Sequence, residues 1–166
     1  MGLDAVVFCD CVERNQLKSP HPFPQLLYIA PNGSPEIRSR SKSKIERHDS
    51  WMQQACKHED MMIAGGDLGN TSSIEFLRQV LREAVSSPAR DFSVLWKKVV
   101  YCGSHCGDHL RLCDVTLLHE ELRRFRKIKF DALKLKDQDI EYIEQFQKTL
   151  SITVKTAIRI KKPIAF

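Results

Sequence analysis

The sequence predicts an α+β fold, in which a small mixed or antiparallel sheet packs against about four helices, including a long C-terminal helix. Short apolar runs rich in Val, Ile and Phe are bounded by turn residues, as strands are. Elsewhere apolar residues recur at helical spacing, most clearly over 74–84 and from residue 137 onward. No unit of sequence repeats along the chain, so a repeat architecture is not expected.

The first third of the chain predicts three strands. The apolar run from Leu3 to Cys9 predicts a buried strand. Leu26 to Ala30 predicts a second strand, and the turn sequence from Pro31 to Ser34 follows it. Because Asn-Gly in that turn adopts positive φ easily, Glu36 to Ser39 is expected to return as the hairpin partner.

A helix, a short strand and a second helix are predicted next. Ile45, Trp51 and Met52 place a helix over 44–57, and Met61 to Ala64 predicts a short strand closed by Gly65-Gly66. Ser72 and Glu75 then have the spacing of a capping box, which opens a helix with an apolar stripe over 74–84. Pro88 is expected to end that region.

The last third is predicted to be mainly helical. Residues 92–101 predict a helical turn followed by a strand over 99–101. Asp114 is the expected N-cap of a helix that continues through Phe125. From about Asp137 a long helix begins with acids and ends with bases, as the helix dipole favours. Pro163 ends it, and 164–166 predicts a last short strand.

Length and composition predict one soluble domain over 1–166. The chain has 166 residues, 42% hydrophobic and 28% charged, which suits a single globular core. No apolar run approaches the roughly 20 residues of a membrane helix, so no membrane association is expected. The N-terminal residues lack a basic leader, so the expected location is the cytoplasm. The six cysteines are then expected to be reduced or bound to metal.

The charge balance bears on the class of partner. A net charge of +5 favours an acidic partner slightly and argues against nucleic acid. The most basic stretch contains Arg38, Arg40, Lys42, Lys44 and Arg47. No aromatic residue is interleaved for base stacking, so a solvated loop is favoured over a phosphate-binding one.

Residues 101–109, Tyr-Cys-Gly-Ser-His-Cys-Gly-Asp-His, form the most informative segment. This composition offers little to a core and predicts a loop that displays polar and nucleophilic groups. One interpretation is a zinc site, whose candidate ligands are Cys102, His105, Cys106 and His109. Structural zinc sites usually draw pairs of ligands from two separated segments, whereas these four lie within eight residues. We therefore expect folding without zinc and no cofactor.

Further interpretations of this loop stay open. Completing a metal site would need ligands from elsewhere, such as Cys9, Cys11, Cys56, His58 or Cys113. A hydrolase would use Cys102 or Cys106 as nucleophile, His105 or His109 as base, and Asp108 to orient the base. The preferred catalytic set is Cys106, His105 and Asp108. The sequence has no nucleophile elbow, Walker loop or HExxH helix, so catalysis is not favoured. The loop is otherwise a recognition surface, or its polar groups bond only to backbone.

A second group of polar residues lies just after two other predicted elements. Asp10 follows the first strand, and His58 follows the helix predicted over 44–57. If the strands ending at 9 and 101 are neighbours, Asp10, His58 and His105 would share one sheet edge. The residues predicted to contact a partner are Ser104, His105, Asp108, His109, Asp10, His58, Glu59 and Asp60.

Three motifs give the chain a resemblance to a known family. The motifs are Gly2-Leu3-Asp4-Ala5-Val6-Val7 with Cys9-Asp10-Cys11, Tyr101-x-Gly103-Ser104-His105-x-Gly107-Asp108, and Lys162-Pro163-Ile164. With them, the chain resembles a family of small, uncharacterised bacterial cytosolic proteins, over most of its length. The resemblance implies no catalytic residue. In size and type the chain is also similar to the immunity proteins of bacterial toxin systems.

The sequence therefore predicts a cytosolic protein-binding or inhibitory protein. The most specific form of this prediction is an immunity protein that neutralises a cognate bacterial toxin by direct binding. The alternative is a small zinc- or Cys/His-dependent hydrolase that uses the 102–109 loop. The sequence does not predict an oligomeric state.

Overall fold

The computed structural model describes residues 2–101, 103, 105, 107–130 and 133–166. It confirms the α+β class, since helices pack on a four-stranded sheet and every strand pairing is antiparallel. The strands are β1 (Gly2–Phe8), β2 (Leu27–Ile29), β3 (Pro35–Ile37), β4 (Met62–Asn70), β5 (His109–Leu110) and β6 (Ile164–Ala165). The helices are α1 (Lys42–Met52), α2 (Thr71–Ala84), α3 (Pro88–Asp91), α4 (Leu112–Phe125) and α5 (Asp137–Ile160). A 3-10 turn (Pro24–Leu26) and a π-helical turn (Leu95–Val99) complete them.

The sheet has the strand order β4-β1-β6-β5, and β2 and β3 form a separate hairpin. Strand β1 alternates between its two faces, so that Leu3, Ala5 and Val7 are buried. This period of two is what a half-buried strand requires. The predicted first strand and hairpin are therefore present, within one or two residues of their expected ends.

Strand β4 is longer than predicted, because Gly65-Gly66 continues it rather than ending it. Gly65 pairs with Val6 of β1 at a φ of 158°. A Cβ atom at this position would lie 2.4 Å from the carbonyl oxygen of Ala5. Glycine therefore permits the close approach of two backbones, and the same residue type that predicts a turn here sustains a strand.

Two predicted helix starts are wrong in detail. Helix α2 begins at Thr71, and its N-cap is Asn70, whose Oδ1 accepts a hydrogen bond from the Ser73 amide at 3.0 Å. The expected capping box of Ser72 and Glu75 falls inside the helix, because Asn70 caps it two residues before Ser72. Asp114 likewise lies in the first turn of α4, after the N-cap Arg111.

The strand predicted over 99–101 is replaced by the end of the π-helical turn. Arg78 of α2 stabilises this turn, since its Nη1 donates to the carbonyls of Trp96 at 2.9 Å and Val100 at 2.8 Å. The carboxylate of buried Glu121 accepts hydrogen bonds from the amides of Val94 and Leu95. These long-range side-chain contacts stabilise a conformation that a local apolar run does not predict.

Helix α5 follows its prediction closely and packs against β4, β1 and α4. Its inward side chains include Phe146, Leu150 and Val154, which are at most 1% exposed. The β-branched residues in its second half do not break it, because Thr153 and Val154 are fully buried against neighbours. Packing thus outweighs the weaker helix propensity of that half.

A second, smaller core lies beyond the end of β1. Its buried residues are Cys9, Cys11, Trp51, Ala55, Cys56 and Met61. Helix α1 ends at Met52, five residues earlier than predicted, and the chain then turns so that Ala55 and Cys56 reach this core. Half of the core is thiol-bearing, so it offers much less apolar surface than the core beneath the sheet.

No helix among the described residues is long and apolar enough to cross a bilayer.

Candidate functional site

Three thiols and one imidazole converge in the second core. We call this group the Cys3His cluster; its members are Cys9, Cys11, Cys56 and His58. Their candidate ligand atoms all lie within 4.8 Å of one another. The Sγ atoms of Cys9 and Cys56 are 3.9 Å apart, and His58 Nδ1 lies 3.6 Å from Cys11 Sγ and 3.3 Å from Cys56 Sγ. The three cysteines are buried and unbridged, whereas His58 is exposed.

Two chain segments that are distant in sequence bring the cluster together. Cys9 and Cys11 follow β1, and the Cys9 amide donates to the carbonyl of Met61 at 2.8 Å. Cys56 and His58 lie in the irregular segment between α1 and β4. In each segment the two cluster residues are separated by one other residue. The two pairs turn toward a common point.

Burial controls the chemistry of the thiols. Desolvation raises the pKa of Cys9 to about 12, and it also raises the pKa of Cys11. Neutral thiols are poor nucleophiles, so these two sulfurs are unreactive unless a cation stabilises their thiolates. The arrangement therefore suits a metal ligand set better than a catalytic nucleophile.

A cavity of about 420 Å³ opens beside the cluster. It is lined by Cys11, Gln16, Leu17, Lys57 and His58. The cluster is thus accessible from solvent on one side, while Cys9 and Cys56 close it on the other.

The 101–109 segment is the second group that the structure places. Cys102, Ser104 and Cys106 lie outside the described residues, so the nucleophile and two predicted zinc ligands are not located. The Tyr101 hydroxyl donates to Asp108 Oδ2 at 2.5 Å. The imidazole of His105 lies against the Tyr101 ring, with centroids 4.1 Å apart, and 5.7 Å from the Phe166 ring.

This geometry gives the described side chains a structural role within the segment. His105 Nδ1 is buried and 3.8 Å from Asp108 Oδ2, and Nε2 lies 3.4 Å from the Tyr101 carbonyl oxygen. The hydrogen bond to Asp108, followed by burial, raises the pKa of Tyr101 to about 12. Tyr101 therefore remains a neutral donor at physiological pH. His109 starts β5 and pairs with Ala165.

The strand directions place the Cys3His cluster and the 101–109 segment toward opposite ends of the sheet. Strands β1 and β5 are both antiparallel to β6, so they run parallel to each other. Asp10 follows the end of β1, whereas His105 precedes β5, so they lie toward opposite ends of the sheet. The expectation that Asp10, His58 and His105 share an edge is therefore wrong, because residues 99–101 form no strand beside β1.

The remaining predicted contact residues surround the Cys3His cluster. Asp10 forms an ion pair with Arg14 at 2.5 Å, and Asp60 Oδ1 accepts from the Met62 amide at 2.5 Å. Glu59 is exposed. Asp10 and Asp60 therefore have structural partners of their own, and only Glu59 and His58 are exposed to solvent.

A third feature is the exposed basic face at the start of α1. Its members are Arg38, Arg40, Lys42, Lys44 and Arg47, all of them exposed. The guanidinium of Arg47 lies 4.7 Å from the Phe23 ring centroid, and that of Arg38 lies 5.1 Å from the Tyr28 ring. The sequence shows no aromatic residue within this stretch, but the fold supplies two from neighbouring segments.

Comparison with protein-family models, with curated proteins and with solved structures finds no match to this chain. The resemblance suggested by the sequence motifs therefore stays a prediction.

The sequence carried a signal for the Cys3His cluster that the crowded 102–109 segment obscured. Cys9-x-Cys11 and Cys56-x-His58 are two ligand pairs from separated segments, which is the usual arrangement in structural zinc sites. The sequence suggested these four residues only as ligands that could complete a site in the 102–109 segment, and not as a site of their own, since 45 residues separate Cys11 from Cys56. Only the return of the chain beside β1, from Met61 into β4, brings the pairs together.

Proposed function

We propose that this protein is a non-catalytic binding protein, and that it recognises an acidic surface of a protein partner through the basic face. The observation that carries the proposal is the charge at the start of α1. Five cations lie within residues 38–47, and Glu46 is the single acid in that stretch. Arg38 and residues 40–47 are exposed.

The N-terminus of α1 does not favour the two lysines in its first turn. The first turn of α1 contains Lys42 and Lys44 and no acid, and the N-cap Ser41 makes no side-chain capping hydrogen bond. Cations near a helix N-terminus oppose the helix dipole by about 0.3–1 kcal/mol each. The ion pair of Lys42 with Glu46, at 3.9 Å between exposed side chains, offsets little of this. Such local conflicts are typical of functional surfaces.

The shape beside the basic face suits a protein partner. A groove of about 460 Å³ runs along α1, lined by residues that include Pro20, Pro22, Arg47 and Trp51. A side chain of the partner can enter it while acidic neighbours pair with the cations. Complementary charge of this kind raises association rates and selects the partner.

Acidic protein is favoured over nucleic acid because the aromatic rings are already covered. Phe23 lies under Arg47 and within 5.6 Å of Lys44, and Tyr28 lies under Arg38. Binding of single-stranded nucleic acid relies on aromatic faces that are free to stack on bases.

In its most specific form, the proposal is an immunity protein that neutralises a bacterial toxin in the cytoplasm. The likeness of the chain to immunity proteins in size and type supports that form. The hydrolase alternative depends on Cys106, and nothing in the geometry of the described residues favours it.

The test is fluorescence anisotropy with a labelled polyglutamate peptide and, separately, a labelled single-stranded oligonucleotide of the same length. The triple variant R40Q/K42Q/K44Q removes three charges from the basic face. The matched control K148Q/K155Q/R159Q removes three exposed charges from α5. At about 0.5 kcal/mol for each exposed pair, the first variant should bind the peptide about tenfold more weakly, and the control nearly as well as wild type.

Equal losses in both variants would show that net charge alone matters and would contradict the proposal. Tighter binding of the oligonucleotide than of the peptide would replace the proposed partner by a nucleic acid. For the inhibitory form, R40Q/K42Q/K44Q should also lose protection of cells that express the toxin, while the α5 control retains it.

A further inference from the structure

The donor set of the Cys3His cluster matches one class of ligand. Three thiolates and one imidazole are the donors that Zn²⁺ takes in structural sites. Carboxylate-rich sets suit Mg²⁺ or Ca²⁺ instead. Of the carboxylates nearest in sequence, Asp10 pairs with Arg14, Asp60 accepts from the Met62 amide, and Glu59 is exposed.

Three of the six distances between the donor atoms are close to the edges of a zinc tetrahedron, and the other three are at most 4.8 Å. With Zn–S near 2.3 Å and Zn–N near 2.05 Å, tetrahedral angles give S···S edges of about 3.8 Å and S···N edges of about 3.6 Å. The Cys9–Cys56 separation is 3.9 Å, and the separations of His58 Nδ1 from Cys11 and Cys56 are 3.6 Å and 3.3 Å. Little movement is needed for the four atoms to enclose one ion.

Hydrogen bonding alone accounts poorly for this convergence. Two thiols approach the same nitrogen of His58, although a neutral imidazole nitrogen has one lone pair to accept with. Thiols are also weak donors. A central cation satisfies all four groups at once, because each donor atom then points at the metal instead of at another donor.

The small size of the second core gives the metal a structural role. Apart from its thiols, the fully buried residues of that core within the described part of the chain are Trp51, Ala55 and Met61, and six partly buried apolar residues pack around them. A metal held by side chains from two chain segments would cross-link such a satellite cluster. The cavity at Cys11 and His58 provides the entry path that a metal needs.

We propose that Cys9, Cys11, Cys56 and His58 bind one Zn²⁺ ion in a closed, structural site. Binding joins the segment after β1 to the segment after α1, and the thiol protons leave to solvent as the ion enters. Four protein ligands leave no open position for a substrate or water, so the site stabilises the second core and performs no catalysis. The proposal is independent of the basic face and its partner.

The test measures zinc content and affinity in protein purified under reducing conditions and loaded with Zn²⁺. C11S removes one ligand, and C113S is the matched control because Cys113 is an exposed free cysteine on α4. C106S tests the zinc ligands that the sequence suggested within 102–109. Wild type, C113S and C106S should each hold one zinc per chain by native mass spectrometry and elemental analysis. C11S should bind zinc more weakly by at least the 10–100-fold that loss of an outer-shell partner causes.

Cobalt keeps the test decisive if C11S does not fold. Wild type loaded with Co²⁺ should show thiolate-to-cobalt charge transfer and the visible bands of tetrahedral cobalt. The proposal is overturned if wild type holds no zinc, if C11S binds as tightly as C113S, or if C106S loses zinc while C11S keeps it. A Cys9–Cys56 disulfide in place of the metal, in protein purified under reducing conditions, would also overturn it.

Discussion

At the scale of single residues, the described part of the 101–109 segment is organised by one short hydrogen bond. Tyr101 donates to Asp108, the Phe166 amide donates to the Asp108 carbonyl at 2.9 Å, and His105 packs between the Tyr101 and Phe166 rings. Polar residues in a glycine-containing loop predicted a displayed surface. Instead, several of them bond to each other, which the sequence could not show because the partners depend on how the loop folds back.

The Tyr101–Asp108 bond predicts a change in titration. In D108A the phenol loses the largest cause of its raised pKa, which should fall from about 12 toward the ordinary value of about 10. NMR of the tyrosine Cζ carbons resolves each phenol. Tyr142 is the internal control, since burial is the main cause of its own raised pKa, also about 12. An unchanged Tyr101 titration would contradict the contact.

The raised pKa of Tyr101 also determines how the contribution of this contact to stability changes with pH. The folded-state pKa of Tyr101 lies above the unfolded value of about 10, so the unfolded chain loses this proton first as the pH rises. The contribution of the contact to stability is therefore complete below about pH 10. It is lost as the pH rises toward 12.

At the scale of elements, amphipathic periodicity predicted the long helices well and the irregular connections poorly. Helix α5 was predictable because its apolar stripe and its charged ends agree. Strand β4 was predicted too short, because Gly65 permits either a turn or the close approach of two strands that this sheet uses. The π-helical turn after Val94 was missed because its stabilising partners, Arg78 and Glu121, are distant in sequence.

Helix α5 provides a stability prediction with a control on the same helix. F146A removes a ring that is 1% exposed in the main core and should lower the free energy of unfolding by about 3–5 kcal/mol. I152A changes a side chain that is 53% exposed and should alter it by no more than about 0.5 kcal/mol. Denaturant unfolding measures both. Comparable effects of the two substitutions would mean that the apolar stripe is not the buried face.

At the scale of the whole molecule, the C-terminal segment links the two cores. The buried Lys162 pairs with Glu13 in the loop after β1 and donates to the carbonyl of Gly33 in the β2–β3 turn at 3.3 Å. Pro163 packs on the same glycine: a Cβ atom added to Gly33 would lie 3.0 Å from the Cγ atom of Pro163. Strand β6 follows directly and enters the main sheet. The second core is thus attached to the sheet through the C-terminal segment as well as through β1.

The proposed zinc ion would hold the second core together. The basic face belongs to α1 and the chain just before it, and α1 also contributes Trp51 to that core. A structural metal would therefore keep the face in a fixed position for its partner. The ion would also explain why three cysteines are buried together within 4.8 Å of one imidazole.

X-ray absorption at the zinc edge tests this claim most directly, because it counts the ligand atoms and measures their distances. For the wild-type protein we expect three sulfurs at about 2.3 Å and one nitrogen at about 2.0–2.1 Å, with no bound water. A shell with two sulfurs and two nitrogens would indicate the pairs Cys102/Cys106 and His105/His109. That result, or a zinc ion with oxygen ligands, would contradict the assignment of the Cys3His cluster.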